Sequence, residues 1–209
     1  MDKNIFINCP FDKDYFILLR PIIFTIVYLG YNPRTALESS DSAKPRLEKL
    51  LELIKESQYS IHDLSRLQAK KAKEYFRLNM PFELGLDYSS KHFDSELNSK
   101  KFLILETEEY DYMKALSDIN GLDIKSHKDI PEQVVDCIVS WFTETVGLRK
   151  IGSPLKIWYE FMEFNTSLYE EKLSDYQKDY DFKTAEKFAN DEIEKMALPE
   201  YIDEIRERY

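Results

Sequence analysis

The stretch YFILLRPIIFTIVYLG, residues 15–30, constrains this chain more than any other. It is the most apolar segment, yet it is too short to cross a bilayer, and Arg20 and Pro21 interrupt it. It is therefore expected to be a buried helix, with Pro21 as a kink. MDKNIFINCP, ahead of it, has no basic region followed by a long apolar run, so no signal peptide is expected. The two cysteines, Cys9 and Cys137, form neither a disulfide framework nor a zinc spacing. A reducing, cytoplasmic setting is expected.

Around that helix, strand-like and helix-like patterns alternate. KNIFINC (3–9), a weak YNPRTAL (31–37), QYSIHDL (58–64), KKFLILE (100–106) and a short edge GLDIKSH (121–127) read as strands. Helices are predicted over 14–29, 43–57, 80–93, 109–118 and 130–147, with Leu47, Leu50, Leu51 and Ile54 at helical spacing in the second. The alternation predicts an α/β fold: a flavodoxin-like, five-stranded parallel sheet with helices on both faces.

At GLRKIGSP (147–154) the composition shifts, which marks a linker. The expected units are an α/β domain over 1–150 and an acidic, aromatic-rich helical extension over 151–209. In the extension Ile157, Phe161, Phe164 and Leu168 share one helix face, and shorter helices are expected near 182–196 and 199–207. Those aromatic helices would pack on the body or present a dimer surface. From Ser153 onward there are 15 acidic and 8 basic residues. The whole chain carries −10, so the first 152 residues carry only −3. That balance argues against nucleic-acid and membrane partners.

In sheets of this kind, ligands bind at the carboxyl ends of the strands. Asn8, Cys9, Arg34, Asp63 and Glu106 are placed there, with Asp12 and Asp14 just beyond the first strand. Asp12 is a ribose-binding candidate, and Asp14 is expected to cap the next helix. His62 would face away from Asp63, since neighbouring strand residues alternate. Glu38 and Asp41 belong to a polar loop that also offers sugar contacts. NMPFELGL, residues 79–86, opens a helix with Asn79 as N-cap, Pro81 early and Glu83 in the first turn. The helix dipole there favours an ionised carboxylate, suited to a nucleophile or to the partner of a developing cation. Arg34, Arg46, Arg66, Lys70, Lys71 and Arg77 are the cations available for a phosphate. Cys9 has no visible base, and His62, His92 and His127 have no metal spacing. No Gly-rich phosphate loop is present.

A strand ending in HDLS, a loop, NMPFELGL on a helix and KKFLIL on a strand together resemble the nucleoside 2-deoxyribosyltransferase family. IFINCPFDKDY and LEKLLELIKESQYSIHDLS resemble TIR domains, and the likeness is to a bacterial TIR-like protein of defence type. The resemblance spans roughly residues 3–127. It implies cleavage of an N-glycosidic bond in NAD or a related nucleotide, with Glu83 as the catalytic carboxylate and Asp63 assisting at the base. Ser65 ends the Asp-Leu-Ser motif, and Asn79 matches the asparagine before the glutamate. No cofactor is implied beyond the nucleotide itself, and a homo-oligomer is expected. The loop from Arg66 to Leu78 is longer and more basic than in the transferases, and NMPF stands where TIR domains carry serine-x-tryptophan. The alternatives are a non-catalytic nucleotide-sensing or assembly module and, third, a deoxyribosyltransferase.

Overall fold

The fold comes from a computed structural model that describes residues 3–38, 41–65, 67, 77–114, 116–119 and 121–209. Five strands form one parallel sheet: β1 (Asn4–Asn8), β2 (Asn32–Thr35), β3 (Tyr59–Asp63), β4 (Lys101–Glu106) and β5 (Ile124–Ser126). Their order is β2-β1-β3-β4-β5, the flavodoxin-like arrangement. Strands β1, β3 and β4 are central, and β1 and β4 read as largely apolar runs because both of their faces are covered, whereas β3 buries the polar Ser60, His62 and Asp63. The weak signal of β2 has a physical cause. It is an edge strand, and there Pro33 can sit opposite Ile5 with no ladder donor of its own.

The helices are α1 (Phe16–Tyr28), α2 (Arg46–Lys55), α3 (Asn79–Phe93), α4 (Pro131–Trp141), α5 (Pro154–Tyr176), α6 (Phe182–Lys195) and α7 (Leu198–Arg206). Helices α1 and α4 pack together, as do α2 and α3. Phe6 on β1 meets α2 through Leu50, Leu53 and Ile54, whereas its neighbours Ile5 and Ile7 join the α1 and α4 core. The two helix pairs therefore cover opposite faces of the sheet.

The opening apolar segment is α1, and it runs unbroken through Pro21. Leu18, Leu19, Ile22, Ile23, Phe24, Ile26 and Val27 are all buried, so no side of the helix is left for a polar stripe. Beyond α1 lie α5 and α7, whose Phe161, Phe164, Leu168, Tyr201 and Ile205 belong to the same core as Ile5, Ile7 and Ile61 of the sheet. The Phe24 ring lies 5.5 Å from those of both Phe161 and Phe164. Arg20, the charge inside the apolar segment, donates to the Ile193 carbonyl and sits 5.2 Å from the Tyr201 ring centroid. The acidic helical extension thus supplies α1 with its outer cover.

Three expectations need correction. Among the described residues the predicted helix at 109–118 is two 3-10 turns, Asp111–Lys114 and Ser117–Ile119, preceded by Tyr110 at φ 63°, where no helix propagates. The helix predicted to 147 leaves α geometry after Trp141, makes a π turn over Phe142–Val146 and stops at Gly147 with φ 95°. Asp14 does not cap α1. It is exposed in a 3-10 turn, and the N-cap is Tyr15, with no side-chain hydrogen bond.

Candidate functional site

The carboxyl ends of β1 and β3, with the start of α3, bring the predicted residues together. Register sets Asn8 beside His62, and the two side chains share a face. Asn8 Nδ2 lies 3.1 Å from His62 Nδ1 and donates to the Met80 carbonyl at 2.9 Å, tying β1 to α3. That leaves Asn8 Oδ1 buried with no partner among the described residues. With Nδ1 accepting, His62 carries its hydrogen on Nε2, 2.9 Å from Asp87 Oδ2. Lys100 Nζ meets Asp87 Oδ1 at 2.5 Å and donates to the Ile54 carbonyl at 2.7 Å. Burial would raise the Asp87 carboxyl, but His62 and Lys100 outweigh it and hold the pKa low. Burial also lowers the Lys100 ammonium.

Asp63 points to the opposite face, as strand alternation requires. It accepts from the Tyr15 hydroxyl and from the Ser65 amide at 2.8 Å, and lies 3.1 Å from His127 Nε2. Burial pushes its pKa upward, yet the hydrogen bonds from His127, Ser65 and Tyr15 bring it below the ordinary range. Ser65 Oγ is 2.8 Å from the same His127 Nε2, while His127 Nδ1 accepts from the Asp129 amide at 3.1 Å. In a nucleophilic triad the hydroxyl and the carboxylate use opposite ring nitrogens. Here they share one, so Ser65, His127 and Asp63 form a positioning network that fixes the end of β3.

Glu83 differs from both aspartates. The inner face of α3 is Met80, Glu83, Leu84 and Asp87, spaced i, i+3, i+4 and i+7. Glu83 is 4% exposed, and its hydrogen bond among the described residues is a long one, 3.5 Å from Asn79 Nδ2. The N-cap of α3 is Leu78, and Arg77 before it has φ 53°. Asn79 is therefore the first helical residue rather than the cap, and Glu83 falls in the second turn rather than the first. The dipole acts mainly within the first turn, so burial decides. It raises the Glu83 pKa against the opposing effects of Asn79, Arg46 and His62.

Cys9 sits among these groups and is buried. Burial first, and then the charges of Asp63, Glu83 and Asp12, push its thiol well up, which leaves an inert side chain. Asp12 pairs with Arg77 at the rim. Arg34 does not join the site. Its guanidinium is bound by Glu38 through two 3.0 Å contacts and by Glu56 at 3.0 Å, beside a cavity of about 190 Å³ that Lys44, Lys49 and Glu52 also line. Glu38 is thereby engaged, and Asp41 Oδ1 accepts from the Ala43 amide. Arg66, Lys70 and Lys71 lie outside the described residues. Sequence reasoning missed Asp87, Lys100 and Tyr15. Only Asp87 had a visible signal, its place on the inner stripe of α3.

No protein-family model matches this chain, and no curated protein matches it. No group of three or more His, Cys, Asp or Glu side chains among the described residues is arranged to hold a metal ion. No helix of the described residues is long and apolar enough to cross a membrane.

Proposed function

We propose that the chain hydrolyses the N-glycosidic bond of NAD or a related nucleotide, with Glu83 facing the positive charge that develops on the ribose. One observation carries this reading. Among the described residues Glu83 is a buried carboxylate with a single long hydrogen bond, while Asp63 and Asp87 close by are fully engaged. Keeping a carboxylate so poorly compensated is costly, and functional sites are where proteins keep such groups. A cation arriving beside Glu83 supplies the missing compensation.

In this reaction the C1′–N bond breaks, and its electron pair leaves with the base. Nicotinamide, already cationic in NAD, departs neutral without needing a proton. Glu83 stabilises the ribosyl cation. Water then adds at C1′ and loses a proton to solvent. Asn79 orients the Glu83 carboxylate, Asn8 Oδ1 is the acceptor available for a ribose hydroxyl, and Arg46 supplies the cation for a phosphate. Asp63 acts through the positions of Ser65 and β3 rather than on the base itself.

The small exposure of Glu83, 4%, favours a second reading: a non-catalytic nucleotide-sensing or assembly module of the same fold. The two separate on incubation of concentrated protein with NAD and with deoxynucleosides, following free base by chromatography. Release that vanishes in Glu83→Gln supports hydrolysis. Micromolar nucleotide binding without release favours sensing. Movement of deoxyribose to a second base would point to a transferase.

A further inference from the structure

The carboxyl ends of β3 and β4 border another cleft, of about 450 Å³, which is large enough for a small metabolite. Leu64 and Leu67 give it an apolar wall, and Glu106 and Thr107 line it from the end of β4. Neither Glu83 nor Asn8 is among its described lining residues. Glu106 is only 2% exposed. Its Oε1 accepts from the Tyr112 amide at 2.6 Å, and its Oε2 is buried with no partner among the described residues. A buried carboxyl oxygen lacking a donor is costly, and the cleft is the direction from which a donor can arrive.

We propose that this cleft binds an organic cation bearing N–H donors, a primary amine or guanidinium on a short apolar stem, with Glu106 Oε2 as the acceptor. The sign of the charge follows from the lining. Among the described lining residues Glu106 and Glu108 are acidic, and the ammonium among them, that of Lys114, pairs with Asp111. A bare metal ion is disfavoured because no cluster of three ligating side chains exists among the described residues. Leu64 and Leu67 suit a short hydrocarbon stem. Burial raises the Glu106 pKa to about 7, assisted by the charge of Asp111 and opposed by the backbone amides of Tyr112, Asp111 and Tyr110. A cation entering near neutral pH selects the ionised carboxylate and drives a proton out. This site does not depend on the role of Glu83.

The test titrates the full chain with agmatine and with n-butylamine, using n-butanol as the neutral control. Calorimetry near neutral pH in two buffers of different ionisation enthalpy reads both binding and proton release. The expected result is saturable binding of at least one amine with proton release, weakened about tenfold or more in Glu106→Gln. Gln retains the carbonyl oxygen that takes the Tyr112 amide, so the variant is expected to fold. Should it not fold, the Tyr112 amide resonance of the unaltered chain is expected to move on adding agmatine. The proposal is overturned by no saturable heat up to about 10 mM, beyond the weak end of useful affinity. It is equally overturned by equal binding of n-butanol, by unchanged affinity in Glu106→Gln, or by a stationary Tyr112 amide.

Discussion

Asp63 and Glu83 both act on the Cys9 thiol and both are buried, yet their surroundings treat them in opposite ways. Asp63 ends a central strand and collects donors from Tyr15, Ser65 and His127. Glu83 lies on a helix face between Met80 and Leu84 and, among the described residues, collects one long bond from Asn79. Burial alone would raise both pKa values. Hydrogen bonds reverse the sign at Asp63 and fail to do so at Glu83. The lesson is that depth in a fold does not determine the role of a carboxylate, whereas the number of donors does. A satisfied carboxylate holds structure, and an unsatisfied one is available to a ligand.

The contrast breaks most visibly if Asp63 is removed. Asp63→Ala removes an acceptor from the Tyr15 hydroxyl, the Ser65 amide and His127 Nε2, and it should cost about 3–5 kcal/mol of stability in urea unfolding. A loss under about 1 kcal/mol would show that the network is not structural. Next in size is the effect of Glu83→Gln on catalysis. Base release from NAD should fall by about 100-fold or more with the fold intact by circular dichroism. Residual activity near wild type would remove Glu83 from the chemistry.

The two groups also predict opposite responses to pH. Asp63 has a folded pKa below its unfolded value, so its stabilisation is present above about pH 4 and is lost as pH falls through the folded value. Acid unfolding should therefore be less steep in Asp63→Asn than in the wild type. Glu83 has a raised folded pKa, so its favourable contribution is present below about pH 4 and is lost as pH rises through the folded value. Glu83→Gln should melt higher than wild type near neutral pH and lose that advantage below about pH 4. An equal melting temperature at both pH values would mean that Glu83 is better compensated than its contacts indicate. The smallest effect belongs to the thiol between them. Cys9→Ala should cost about 1 kcal/mol and leave base release unchanged, because the thiol is buried and stays protonated.

Much of the fold was legible because its signals are local. Residues 15–30 could only be a buried helix, and the apolar runs at β1 and β4 read as strands without any knowledge of their neighbours. The flavodoxin-like class followed from alternation, and the strand-end position of Asn8, Asp63 and Glu106 followed from the class. The start of α3 was misplaced by one residue, since Asn79 resembles a cap and only the backbone at Arg77 and Leu78 showed otherwise. Arg34 sat at a strand end, as expected, but two glutamates already hold it.

The sequence by itself determined that this chain forms an α/β sheet domain with an acidic helical tail, and that Glu83 lies early in the helix after the third strand. Tertiary structure alone decided what each buried charge meets. Arg20 finds the Ile193 carbonyl 173 residues away, Asp63 finds Tyr15 48 residues away and His127 64 residues away, and Asp87 finds His62 at 25. Periodicity is a property of neighbouring residues and is written along the chain. Compensation of a buried charge is a property of distant ones, and it exists only once the strands and helices have brought them within hydrogen-bonding reach.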